Sequence, residues 1–239
     1  MATILIGLDD TDNAASRGTG RLARELLKEF VGRGIRPLGV TRHQLLLDAR
    51  IPYTSHNSSA CVGVAADDGA DLAAAAFDFV ASRAAEGSDP GVCVAPAGAV
   101  GREIVQFGQR ATSEIVAMAE AEQLARAAGA RLRALGGSGL GIIGALAATG
   151  LRAGGGEGRF IDLPGLRSLP DRLRAADFQR LGIRLAHEGP RRPRRDDAYE
   201  TLGWVRPRLL GGQPVLPVQW NEEQHAWLPV DRRRSRRLE

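Results

Sequence analysis

Apolar residues recur along the chain in two rhythms, and the change from one to the other marks its elements. Residues 3–8 form an alternating, β-branched run that reads as a buried strand. Leu22, Leu26, Leu27 and Phe30 fall at helical spacing within residues 19–31, and Gly32 or Gly34 stops that helix. Residues 37–46, 59–66 and 91–95 read as strands, with an Ala/Phe-rich helix over 71–85. That order, βαββαβ, is the ferredoxin-like split βαβ pattern.

Beyond Pro96 the texture changes. Helices are predicted over 100–108 and 113–128, the second with Ile115, Met118 and Leu124 turned inward. A short strand over 131–135 leads into a glycine run and a small helix over 145–149. Gly154, Gly155 and Gly156 make a turn, followed by a strand over 159–163 and a helix over 171–181. Polar and basic residues interrupt the pattern at 189–197. Three short antiparallel strands are expected after it, over 199–208, 215–220 and 226–230, the first pair turned by Gly211 and Gly212. The fold class is therefore α/β (α+β). Residues 1–189 form the main region, 190–198 a basic linker, and 199–239 a small β unit with an Arg-rich tail.

A chain of 239 residues with 44% hydrophobic content builds a real core. No apolar run is long enough to span a bilayer, and the N-terminus lacks the basic flank of a signal peptide. Two cysteines, Cys61 and Cys93, alternate with apolar residues and read as core. Together these point to a cytoplasmic protein without membrane partners. The formal charge of +4 is uneven: Arg191 to Arg195 and Arg232 to Arg237 concentrate it in the last quarter, leaving the rest net acidic. Guanidinium groups suit phosphate backbones, so these segments fit tRNA or another RNA, with a solvated face as the alternative. Trp204, Trp220 and Trp227 all lie in the last unit, where a small core is their first explanation and base stacking the second.

The sharpest chemistry follows the first strand, where Asp9, Asp10 and Asp12 place three carboxylates within four residues. Like charges so close need a cation or hydrogen-bond donors, and Mg²⁺ with one or two carboxylates, water and phosphate oxygens fits. Arg17, Gly18, Thr19 and Gly20 then lead into a helix whose start offers N–H groups to an anion. An Asx-type turn that caps the backbone is the simpler alternative. Gly139, Gly141 and Gly144 satisfy G-x-G-x-x-G between a strand and a helix, with Asp162 at the spacing of a ribose-binding acid. The run is read as a phosphate or close-approach site, since the helix after it looks too short for a dinucleotide fold. Lys28 is the only lysine and sits mid-helix, so P-loop and Schiff-base chemistry are excluded. A triphosphate would be held by metal, backbone amides and Arg. A polar cluster, Arg42, His43 and Gln44 with Tyr53 to Ser59, suits a binding loop or a capped turn equally.

Taken together, Gly7 to Asn13 with Arg17, Gly18 and Thr19, then Ile51 to Thr54 with Asn57, then Gly141 to Ala148, resemble the archaeal tRNA agmatinylcytidine synthetase family over residues 3–165. The resemblance implies a ferredoxin-like part with a kinase-like α/β extension. In that family ATP and Mg²⁺ phosphorylate the C2 carbonyl oxygen of a wobble cytidine in an isoleucine tRNA, and agmatine displaces the phosphate. It further implies that Asp9, Asp10 and Asp12 handle Mg²⁺ and phosphate, that Thr19 lies near the γ-phosphate, and that Thr11, Arg17, Gly18, Gly139, Gly141 and Gly144 contact nucleotide. The expected activity is an ATP-dependent phosphotransferase or ligase; the alternatives are a non-catalytic nucleotide- or RNA-binding protein and, less well matched, a dinucleotide-using oxidoreductase. The family's OB-fold and Cys-rich zinc ribbon have no counterpart here, which suggests a short relative.

Overall fold

The structure, a computed structural model, describes residues 1–52, 56–67 and 69–230. Tyr53, Thr54 and Ser55 of the polar cluster and the Arg232 to Arg237 tail lie outside the described residues. The first strand, β1 (Ala2–Asp9), is followed by α1 (Thr19–Gly32), β2 (Arg36–Gln44), β3 (Ser58–Ala66), α2 (Gly69–Ala81) and β4 (Gly91–Pro96). The strands lie in the antiparallel order β4-β1-β3-β2. Alternation sends Ile4, Ile6 and Leu8 to the face where Leu26 and Phe30 of α1 and Ala76 and Val80 of α2 complete a core. Leu5 points the other way and packs with Cys61 and Ala148. Both faces of β1 are thus covered, which is why it is apolar almost throughout.

The second face is covered by α3 (Arg102–Arg110), α4 (Met118–Ala127) and α5 (Gly141–Gly154), while β5 (Arg131–Ala134) extends the sheet beyond β4. Two expectations change here. The helix predicted over 113–128 starts only at Met118, because Glu114 N–H bonds back to Arg110 and the chain turns before re-entering a helix. Ile115 therefore stays 49% exposed. The small helix expected over 145–149 is a 14-residue helix that begins at Gly141 and ends where Gly155 takes a φ of 68°. Tertiary packing against β1, β4 and α3 overrides the low helix propensity of its glycines.

Past β2 the sheet continues through β6 (Arg159–Asp162) into a second layer. It comprises β7 (Arg172–Leu173), α6 (Ala175–Arg180), β8 (Arg184–Glu188), β9 (Ala198–Glu200), β10 (Arg208–Leu210), β11 (Gln213–Asn221) and β12 (Ala226–Pro229). The helix predicted over 171–181 is shortened to α6, and the strand over 199–208 is split into β9 and β10. Gly211 and Gly212, both with positive φ, turn β10 into β11 as expected. The last strands are not all antiparallel, since β8 pairs with β11 and β9 with β12 in parallel. The whole is a mixed α/β structure with one large, mostly antiparallel sheet.

Phe160, Leu163, Phe178 and Ile183 share a core with Tyr199, Leu216 and Trp227. Residues 160–188 thus pack with the strands beyond the basic 190–198 segment. That segment is itself anchored: buried Asp197 accepts hydrogen bonds from Arg191, from the Arg194 N–H and from the Trp227 indole. Trp227 is fully buried, whereas Trp204 is 40% exposed. Among the described residues no helix is long and apolar enough to cross a membrane.

Candidate active site

The C-terminal end of β1 and the N-terminal end of α5 meet at one cavity of about 200 Å³. Asp9, Asp10, Asp12 and Thr19 line one side, and Leu140, Gly141, Ile143 and Gly144 the other. Contact is closest between Asp9 and Gly144: a Cβ at Gly144 would lie 1.7 Å from Asp9 Oδ2. Only glycine there lets the carboxylate lie against the helix. Gly141 meets a similar limit, since its Cβ would fall 2.0 Å from the Asp89 carbonyl. Gly141 and Gly144 are close-approach positions inside the helix, while Gly139 lies in the turn before it.

The acidic turn divides its labour. Asp10 takes a φ of 48°, a left-handed value that Asp tolerates, and bends the chain out of β1. Asp12 anchors the start of α1: its Oδ1 accepts from the Thr19 N–H at 3.1 Å and from Thr19 Oγ1 at 2.7 Å. Thr19 Oγ1 in turn accepts from the N–H and hydroxyl of Thr11, at 3.2 and 3.1 Å. Asp12 thus braces the start of α1 while still lining the cavity, and Thr11 is a buried support outside the lining. Arg17 and Gly18 are exposed and also outside it. Gly139 stands behind the cavity, donating its N–H to Asp89 at 2.7 Å.

Sequence reasoning missed Asp89. Its carboxylate accepts from the Gly139 and Leu140 N–H groups and from the Ser138 hydroxyl, holding the turn that opens α5. A lone Asp before a Pro gives no signal of this. Arg50 is the second omission: it lines the cavity beside Ile51 and Pro52 and is held by Asp48 through two hydrogen bonds of 2.8 and 2.7 Å. Of the polar cluster, His56, Asn57 and Ser58 line this cavity, whereas Arg42, His43 and Gln44 line a different cleft. Asp162, at the end of β6, pairs with Arg167 and does not line the cavity, which removes the ribose acid that a dinucleotide site needs.

Burial pushes the Asp9 carboxyl up from 3.8 to about 7, with the charges of Asp10 and Asp12 adding to it against a backbone hydrogen bond from Asp10. Burial raises Asp10 to about 6, and Asp89 and Asp12 contribute repulsion. Among the described residues no group of three His, Cys, Asp or Glu side chains is arranged to hold a metal ion. The donor chemistry still fits Mg²⁺, which needs only one or two carboxylates. Asp9 and Asp10 are crowded carboxyls that a hard cation would keep ionised. Cys61 and Cys93 are buried core residues with thiols pushed up to about 12, so neither is a nucleophile.

No family model matches the sequence, and no curated protein does. Solved structures do. A complex of TiaS, an isoleucine-tRNA agmatidine synthetase, with tRNA and ATP superposes with a TM-score of 0.55 at 24% identity. The match covers 63% of this chain and 36% of that one. Over that part the chain shares the fold of TiaS. Apo TiaS gives a TM-score of 0.53 over 62% of this chain, and a structure described as a tRNA fluorescent labeling enzyme gives 0.54 at 27% identity. The chain spans about a third of the length of these structures, covering 35–36% of each. The family resemblance read from the sequence is thus matched by the TiaS fold.

Proposed function

We propose that the chain is an ATP- and Mg²⁺-dependent phosphotransferase or synthetase with an RNA-modifying role related to that of TiaS. The observation that carries this reading is the meeting of the acidic turn and the start of α5 at one cavity. TiaS itself was solved with tRNA and ATP, and with AMPCPP and agmatine. In this proposal the β4-β1-β3-β2 sheet with α1 and α2 on one face is a ferredoxin-like core, and α3 to α5 form the kinase-like extension.

Asp9 and Asp10 would hold Mg²⁺, which when bound neutralises phosphate charge and supports phosphoryl transfer. At the start of α5 the Ile142 and Ile143 N–H groups bond to the Gly139 and Leu140 carbonyls, and Asp89 takes the N–H groups of Gly139 and Leu140. The dipole of this 14-residue helix, and not a row of open donors, would favour an anion. Arg50 adds the cation on the open side. Asp12, through Thr19, fixes the turn and is a positioning residue for its two neighbours. Ile51, Pro52 and Ile115 give an apolar wall suited to a base.

The test is thermal unfolding with ATP, Mg²⁺, both, or NADH. Ligand at about 100-fold its Kd stabilises by ~2.7 kcal/mol, which raises the melting temperature by about 5–10 °C. ATP with Mg²⁺ should produce that rise in the wild type and none in Asp9→Asn. No rise, or an equal rise in the variant, overturns the site. The engagement of Asp12 by Thr19 favours a second reading, nucleotide binding without turnover. That reading predicts the same thermal shift but no ADP released when RNA is added.

A further inference from the structure

The sheet carries an unusual ladder in a cleft separate from the candidate active site, though Arg42 reaches Ser58 in that site's lining. Arg42 on β2 lies directly opposite Arg159 on β6, and Arg159 directly opposite Arg208 on β10. Cross-strand partners share a face, so three guanidinium groups are ranked across neighbouring strands. Like charges placed this way repel across a sheet, although Arg42 is also held by Ser58, its Nε donating to Ser58 Oγ at 2.9 Å. All three line a cleft of about 330 Å³ together with Arg206. Arg159, Arg206 and Arg208 also line an adjoining cleft of about 700 Å³ that holds Trp204. Among the described residues lining the two clefts, Glu157 is the one carboxylate against four arginines.

Trp204 is presented in a specific way. The Trp204 N–H bonds back to the Thr201 carbonyl, closing a turn whose central residues, Leu202 and Gly203, have φ values of 54° and 80°. A leucine in the left-handed region is strained, and such strain persists only where the surroundings enforce it. The turn leaves the indole 40% exposed, with the guanidinium groups of Arg206 and Arg167 at 4.0 and 4.9 Å from its ring.

We propose that this groove, from Arg42 and Arg159 past Arg206 and Arg208 to Trp204, docks a single-stranded RNA segment. Its phosphates lie along the arginine ladder and one base stacks against the Trp204 and Arg206 pair. Charge complementarity selects a polyanion, and the exposed indole selects one with unstacked bases. The proposal does not rest on the ATP site. Failure here leaves nucleotide binding untouched, and Asp9→Asn should spare RNA binding.

Fluorescence anisotropy with the full chain and a labelled, unstructured 12-nucleotide RNA tests it across a salt series. Trp204→Ala should weaken binding about tenfold with the salt slope unchanged, and Trp204→Phe should restore most of the loss. The double variant Arg206→Ala with Arg208→Ala should flatten the slope of log K against log salt by about 1.4. Each variant is compared at equal thermal stability and equal ATP affinity, and Arg206→Ala alone serves if the double variant unfolds. Wild-type binding by the Trp204 and arginine variants, with loss only on deleting Arg232 to Arg237, overturns the proposal. So does competition by duplex RNA, or by an acidic peptide, equal to that by the single strand.

Discussion

Replacing Gly144 by alanine probes the contact on which the candidate site depends. The new Cβ would stand 1.7 Å from Asp9 Oδ2, 2.4 Å from its Cγ and 2.8 Å from its Cβ. Contact near 3.5 Å is restored only if the carboxylate retreats by about 1.8 Å or more. Overpacking of this kind costs about 1–3 kcal/mol, offset by about 1 kcal/mol of helix propensity gained. The net loss is therefore about 0–2 kcal/mol, a fall of at most ~8 °C in melting temperature for a chain of this size. Function should suffer far more, because a displacement near 1 Å at a reacting centre costs about 100-fold. Gly150→Ala is the control. Its Cβ would meet the Ile104 carbonyl of α3 at 2.2 Å, a backbone atom that cannot rotate away. That variant should lose more stability and keep its ATP affinity while folded. Calorimetric titration with ATP and Mg²⁺, alongside thermal melts, separates the two. If Gly144→Ala binds ATP as the wild type does, the glycine does not make room for Asp9 and the argument fails.

Two further outcomes follow from the same geometry. Asp89→Ala leaves the Gly139 and Leu140 N–H groups without their acceptor, at about 1–2 kcal/mol, and should lower the melting temperature by about 2–8 °C; an unchanged melt would mean the turn holds itself. Between pH ~4 and 7 the folded chain keeps a proton on Asp9 that the unfolded chain releases, so stability falls as pH rises through that window. Asp9→Asn removes that loss, with a ceiling of about 4 kcal/mol, and should melt higher than the wild type at pH 8 without divalent cations. Asp10, raised to about 6, leaves a smaller slope in the variant. Equal melting curves at pH 8 would mean that Asp9 is not desolvated.

Local pattern carried a good part of this protein. The β1 strand, the α1 helix and the acidic turn between them are legible because alternation, helical spacing and turn chemistry act over a few residues. The Gly211-Gly212 hairpin is legible for the same reason. Tertiary structure decided the rest. The length of α5 depends on packing against β1, β4 and α3, which no propensity of Gly141, Gly144 or Gly150 announces. Asp12 and Asp9 look equivalent in sequence, yet one holds Thr19 through Oδ1 and the other is buried against Gly144. Asp89 and Arg50 join the site only because distant turns converge on it. Residues 160–188 pack beyond the basic segment because parallel pairing of β8 with β11 is a long-range choice. Sequence determines short-range geometry through backbone sterics and periodicity; which charges are desolvated, and beside what, is set by contacts between segments far apart in the chain.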